Sequence, residues 1–215
     1  MKKTALLLFA AALLLVSCNN GGDTKNTSDS TAKKEPAKEE VKTPPMDSAT
    51  MMKNWQAYMT PGEMHKMMAS WNGTWNSEVT MWMKPDAPPQ KSNGTAVNKM
   101  VLGGRYQESI NTGTMMGMPF EGHGTLAYDN AKKIFQSTWV DNMGSGIMMM
   151  SGPWDSATKT VSLTGKEMDP MSGRDKDHRE TFNVMDDNTQ MMTMYGPGPD
   201  GKEFKMMEIK FTRKK

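Results

Sequence analysis

The chain has 215 residues, with 26 Lys and Arg against 24 Asp and Glu, for a formal net charge of +2. Lys2 and Lys3 account for that excess, so no basic stripe marks a nucleic-acid partner. A single cysteine, Cys18, excludes an internal disulfide framework and a Cys-rich metal site.

Residues 1–17 read as a signal peptide. Lys2 and Lys3 form its positive head, and Thr4 to Val16 form an apolar run. That run is too short for a spanning helix, which needs about 20 residues. It ends in Leu15-Val16-Ser17-Cys18. Small residues before a cysteine resemble the bacterial lipobox, in which the thiol is acylated and the chain is cut just before it. The rival reading is a plain signal peptide with an incidental cysteine. The expected partner is therefore a membrane, held through lipid on Cys18, and the expected location is the bacterial cell envelope.

Residues 18–45 read as the lipidated cysteine and a disordered tether. Beyond Cys18 the only large apolar residue there is Val41, and five acids balance five lysines. Such a segment buries too little apolar surface to offset its ordering entropy.

The composition changes at Met46, so residues 46–215 are expected to form the folded domain. Asp47 caps a predicted helix over Ser48–Met59. Thr60-Pro61-Gly62-Glu63 reads as a capping box with proline at the first helical position, opening a second helix over Pro61–Trp71. After Gly73 the pattern is β. Candidate strands are Thr74–Met83, Thr95–Leu102, Arg105–Asn111, Glu121–Tyr128, Ile134–Asp141, Gly146–Pro153, Thr160–Met168, His178–Met185, Gln190–Tyr195 and Lys205–Arg213. Turn chemistry such as Gly103-Gly104, Asp155-Ser156 and Pro199-Asp200-Gly201 separates them. Asp129 to Lys133 and Asp155 to Lys159 look like one turn solution used twice. The predicted fold is all-β: an antiparallel up-and-down meander of about ten strands closed as a β-barrel, because closure removes exposed edges. A β-sandwich is the structural competitor.

Gly73-Thr74-Trp75 opens the first predicted strand and Arg213 closes the last. This resembles the lipocalin and calycin pattern, in which G-x-W starts the barrel and a late arginine packs on the tryptophan. No second lipocalin motif is present, and about ten strands suit the shorter-stranded calycin relatives better. A wider resemblance covers about residues 55–214. It is carried by Thr60-Pro61-Gly62-Glu63-Met64-His65, Gly73-Thr74-Trp75, Asn98 to Arg105, Met116 to Gly122, Tyr128-Asp129-Asn130, Ser137 to Met143 and Gly198 to Phe204. These stretches are similar to the bacterial domain of unknown function numbered 1579. That family has no established activity for the resemblance to imply.

Twenty-five of the 26 methionines lie beyond Cys18. Met is read first as core filler in place of Leu. The competing readings are a thioether Cu(I) site, with clusters at Met115-Met116-Met118, Met148-Met149-Met150 and Met191-Met192-Met194, or an oxidation sink. His65, His123 and His178 have no dense ligand spacing, so no histidine metal site is expected. There is no G-x-S-x-G elbow and no phosphate-cradling loop before a helix, so neither an enzyme nor a cofactor is the leading expectation. Polar residues that interrupt the strands compose the candidate cavity: Asn98, Arg105, Glu121, His123, Asp141 and Arg179, with Trp139. They either face water outside or converge inside a partly polar cavity. The leading functional expectation is a barrel that binds a small, largely apolar ligand. The alternative is a structural or interaction module with a filled barrel.

Overall fold

A computed structural model of the chain describes residues 46–215. The predicted signal peptide, Cys18 and the tether lie outside the described residues. Two helices lead, α1 (Ser48–Met59) and α2 (Glu63–Ser70). Asp47 caps α1 as expected: its carboxylate accepts from the Thr50 amide at 3.0 Å and the Thr50 hydroxyl at 2.6 Å. The start of α2 differs from the expectation. Gly62, not Thr60, is its N-cap. The Thr60 hydroxyl turns back and donates to the Gln56 carbonyl at the end of α1. The cap is supplied instead by His65, whose Nδ1 accepts from the Gly62 amide at 3.0 Å.

Eleven strands follow: β1 (Gly73–Met81), β2 (Gln90–Val101), β3 (Tyr106–Met115), β4 (Met118–Asp129), β5 (Ile134–Asp141), β6 (Met148–Gly152), β7 (Trp154–Asp155), β8 (Thr160–Asp169), β9 (Arg174–Asp186), β10 (Thr189–Pro197) and β11 (Glu203–Arg213). All pairings are antiparallel. The sheet runs β6-β5-β4-β3-β2-β1-β11-β10-β9-β8-β7 and β6 also pairs with β8, which closes ten strands into a barrel and leaves the two-residue β7 as an appendage. Closure rules out the sandwich.

Several strands are longer than the sequence pattern predicts. β2 starts at Gln90 and β9 at Arg174. Lys91, Asn93, Asp175 and Asp177 are exposed there, so water solvates them while neighbouring strands supply the backbone partners. β3 and β4 likewise run on to a tight turn at Met116-Gly117, where φ is positive at both residues (50° and 78°), as a two-residue hairpin of the primed type needs. The resemblance between the Asp129 and Asp155 turns holds, and Asp169 makes a third. Each aspartate accepts from the backbone amide two residues on, at 2.8, 2.8 and 3.0 Å. Each turn ends on a left-handed residue: Lys133, Lys159 or Gly173.

The core gathers at the end of the barrel that α2 covers. Met68, Trp71, Phe135, Met148, Met150, Val161 and Leu163 are buried together. Met148 and Met150 point in while Met149 between them is exposed, as strand alternation requires. A methionine cluster in sequence is thus not one in space, and Met fills core volume at this end.

Candidate functional site

The closed end is fastened by Arg213. Its Cα pairs with that of Trp75 across β1 and β11. The guanidinium lies 4.2 Å from the Trp75 ring centre. It donates to the carbonyls of Asn72 at 2.7 Å, Ser70 at 2.8 Å and Asp187 at 3.0 Å. Gly73 is needed beside it: its φ is 117°, and a Cβ there would stand 3.2 Å from Nη1. Trp75 is 0% exposed and donates from its indole to the Trp71 carbonyl at 3.0 Å. The same carbonyl accepts from Asn98, and Gln107 donates to the Met68 carbonyl at 2.6 Å. These bonds satisfy the C-terminal carbonyls of α2, so the helix can be buried as a plug. The G-x-W and arginine pairing expected from the calycin resemblance is therefore present.

Strand register and alternation define what faces inward beyond that plug. Trp75 continues through Ser77, Val79 and Met81 on β1; these stand beside Ala96, Gly94, Ser92 and Gln90 on β2. On β3 the inward row is Gln107, Ser109, Asn111 and Gly113, set against Leu126, Gly124, Gly122 and Phe120 on β4. Phe182 and Met194, on β9 and β10, pack toward the core. By the same period Glu180 is inward, between Leu163 on β8 and Met194 on β10.

The inward residues change character along the axis. Near α2 they are buried: Trp75, Ala96, Gln107, Phe135, Val161 and Gln190. Farther on, Val79, Ser92, Ser109, Asn111, Glu180 and Ile209 are only half-buried, although they point into a closed barrel. In a barrel packed with side chains they would be sealed. The far half of the barrel interior is therefore less tightly sealed than the half beneath α2, and its wall is mixed.

Three polar groups in or beside this lumen stand out. Glu180 has no hydrogen bond or ion pair among the described residues, and its enclosure pushes its carboxyl up to about 7. Asn98 Oδ1 and His178 Nδ1 are buried without a hydrogen-bond partner among the described residues. The other ring nitrogen of His178 lies 3.9 Å from the half-exposed Glu167.

The structure divides the predicted cavity residues. Trp139 and Asp141 are inward on β5: the indole donates to Asp141 at 2.9 Å and lies over Gly122 and Gly124, where any Cβ would collide with it or crowd it. Asn98 is inward beneath α2. The other four do not reach the lumen. Arg105 sits in the β2–β3 turn and donates to the Met59 and Leu102 carbonyls. Glu121 and His123 are exposed on the outer face of β4, 2.8 Å apart, beside a shallow cleft of about 400 Å³ with Val140 and Asn142. Arg179 also faces outward. It forks onto Glu203 at 3.0 and 2.7 Å and stacks 3.8 Å over Tyr195. Glu121, His123 and Arg179 each lie one residue out of phase with an inward row. Arg179, for instance, alternates against Phe182 and Val184. Glu180 was the residue to single out, since it shares its face with Phe182 and Val184.

The family described as "Protein of unknown function (DUF1579)" matches residues 60–213. No curated protein matches the chain. Among solved structures, the chain is similar to Rv2717c from M. tuberculosis, with 10% identity, 73% of this chain and 100% of that one covered, and a TM-score of 0.56. At that identity the likeness concerns the fold. The S-type phycobiliprotein lyase CPES from Guillardia theta matches at 10% identity and a TM-score of 0.48, over 72% of this chain and 94% of its own. A redesigned beta barrel matches at 15% identity and a TM-score of 0.37, over 72% of this chain and 100% of its own.

Proposed function

The chain belongs to the DUF1579 family of proteins of unknown function, and from that premise we propose that it is a lipid-anchored protein of the bacterial envelope whose barrel holds a small, largely apolar ligand. One observation carries the ligand half of this reading: inward residues beyond the plug are half-buried inside a closed barrel. Their wall is mixed: Val79 and Ile209 stand with Ser92, Ser109, Asn111 and Glu180. Apolar surface with a few placed polar groups is the usual character of a small-molecule pocket. Glu180 supplies an unused acceptor on that wall. The ligand this favours is an apolar body bearing one hydrogen-bond donor or cationic group, set against Glu180. The envelope half rests on the order of residues 1–18: positive head, apolar run and lipobox cysteine.

The test uses the folded residues 46–215 and N-phenylnaphthylamine, a neutral apolar dye with one N–H donor. Its fluorescence should rise saturably at one site per chain. Replacing Glu180 by Leu, which keeps the volume and removes the acceptor, should weaken binding about tenfold, the worth of one buried hydrogen bond of about 1.4 kcal/mol. No saturable binding by the natural sequence, with native mass spectrometry of host-purified protein likewise free of any small molecule, would leave the filled-module reading in its place.

A further inference from the structure

We infer that α1 is an interfacial helix that lies on the bilayer surface, so that the plugged end of the barrel faces the membrane and the open mouth faces water. The inference rests on the proposed lipid anchor for its partner.

No residue of α1 is buried. Its apolar side chains nevertheless fall on one side. At 100° per residue, Tyr58, Met51, Trp55, Met59 and Met52 lie within a single arc of about 120°. Met52 is 66% exposed and Trp55 61% exposed. Thr50, Lys53, Asn54 and Ala57 occupy the opposite side. A stripe of this kind facing water marks a surface that another apolar phase covers. Trp and Tyr are the residues that favour the headgroup level of a bilayer.

The helix is held in place by its backbone, which leaves that stripe free. Asn130, in the β4–β5 turn, donates to the carbonyls of Tyr58 at 3.0 Å and Thr60 at 2.8 Å. Arg105, in the β2–β3 turn, donates to the Met59 carbonyl at 2.9 Å. Arg105 also holds the Leu102 carbonyl, and Leu102 is 73% exposed. The apolar surface thus continues from α1 onto the rim of the plugged end. That rim carries Lys132, Lys133, Lys159, Lys214 and Lys215; of its turn carboxylates, Asp129, Asp155 and Asp186 accept from nearby backbone amides, and Asp187 is exposed beside them. Cations on the rim suit a surface of lipid phosphates.

The occupant is a lipid surface because of where α1 stands in the chain. It is the first element of the folded unit, thirty residues after Cys18, and so the part of that unit nearest the anchor along the chain. A helix of 12 residues with five large apolar side chains binds a bilayer only weakly by itself. Beside an acyl anchor it becomes the second signal that fixes orientation. Both turns that hold α1 are at the plugged end, so the mouth, ringed by the β3–β4 and β8–β9 turns, points away from the lipid. Ligand would then enter from the aqueous side.

The test is spin labelling of the full lipidated chain in phosphatidylcholine vesicles. Cys18 is the only natural cysteine and is acylated in the anchored chain, so one introduced cysteine is the only free thiol. Labels go at Met52→Cys on the stripe, Lys53→Cys opposite and Thr114→Cys at the mouth. Expected is a severalfold rise in the oxygen-to-nickel-chelate accessibility ratio at position 52 on reconstitution, with positions 53 and 114 unchanged. A label at position 52 that stays accessible to the water-soluble chelate overturns the inference. So does spin–spin broadening at position 52 without vesicles, which would mean that a second copy covers the stripe. Mass spectrometry of the N-terminal peptide reads the anchor separately. If no lipid is found, the chain carrying Cys18→Ser is labelled at position 52 and mixed with vesicles, and no change there then overturns both readings.

Discussion

At the plugged end, Trp71, Trp75, Phe135, Val161 and Gln190 are sealed, and the α2 carbonyls that enter the core are met by Trp75, Asn98, Gln107 and Arg213. At the other end, the same strands carry Val79, Ser92, Asn111 and Glu180 on their inward faces, half-buried, and His178 Nδ1 is buried without a partner among the described residues. One sheet therefore does two things. Where large side chains meet a helix it makes a core, and where small and polar residues face one another it is less tightly sealed. Stability should concentrate at the first end and binding at the second.

The sharpest way to break this contrast is at the plug. Trp75→Ala removes a fully buried indole and should cost about 3–5 kcal/mol. Arg213→Ala removes the stacking contact and three hydrogen bonds to carbonyls, and should cost about 2–4 kcal/mol. Denaturant unfolding of residues 46–215 measures both. Losses under about 1 kcal/mol would mean that the plug is not where the barrel is held.

Glu180 gives the next largest effect, with a defined sign. Enclosure raises its carboxyl to about 7 from an ordinary 4.5. The folded state therefore holds a proton that the unfolded chain has released between those values. Its contribution is fully present below about pH 4.5 and is lost as pH rises through about 7. The loss is at most about 3 kcal/mol, and less where lumen water screens the charge. Glu180→Gln should flatten the stability profile over that window. An unchanged slope would place this carboxylate in water.

The barrel was legible in the sequence because its signals are local. Asp-led turns, G-x-W and a period of two each need only a few neighbouring residues. The site was less legible. Phase decides whether a polar strand residue faces the lumen, and Arg179 and Glu180 differ by a single step. Only the apolar pair Phe182 and Val184 fixes that phase. Arg105 and Asn130 were opaque for another reason: their partners are carbonyls 46 and 70–73 residues away in α1 and the turn after it. The β6–β8 closure was equally hidden, because β7 intervenes in the chain.

A smaller perturbation separates an open lumen from a filled one. Val79→Phe adds bulk to the inward face of β1 on the mouth side. In a packed core such overfilling costs about 1–3 kcal/mol. In an open lumen it should cost under about 0.5 kcal/mol, since strands tolerate Phe well, while dye binding falls as the space is taken. A stability loss without a binding loss would reverse the assignment of the two ends.

The smallest effect also compares the two ends, through their turns. Asp129 to Lys133 and Asp155 to Lys159 lie at the plugged end, and Asp169 to Gly173 at the mouth. All three end left-handed, with φ of 59°, 50° and 65°. Only the mouth turn has glycine there. A lysine in that conformation is strained by about 1–2 kcal/mol, and glycine relieves the strain but loses about 0.5–1 kcal/mol through the freedom of the unfolded chain. Lys133→Gly and Lys159→Gly should therefore each add up to about 1 kcal/mol, and Gly173→Lys should remove a similar amount. The sites are far apart along the sheet, so the two gains should add. Thermal unfolding of the single and double variants checks this. A gain at one plugged-end turn and not at the other would show that the shared aspartate geometry does not make the turns energetically alike.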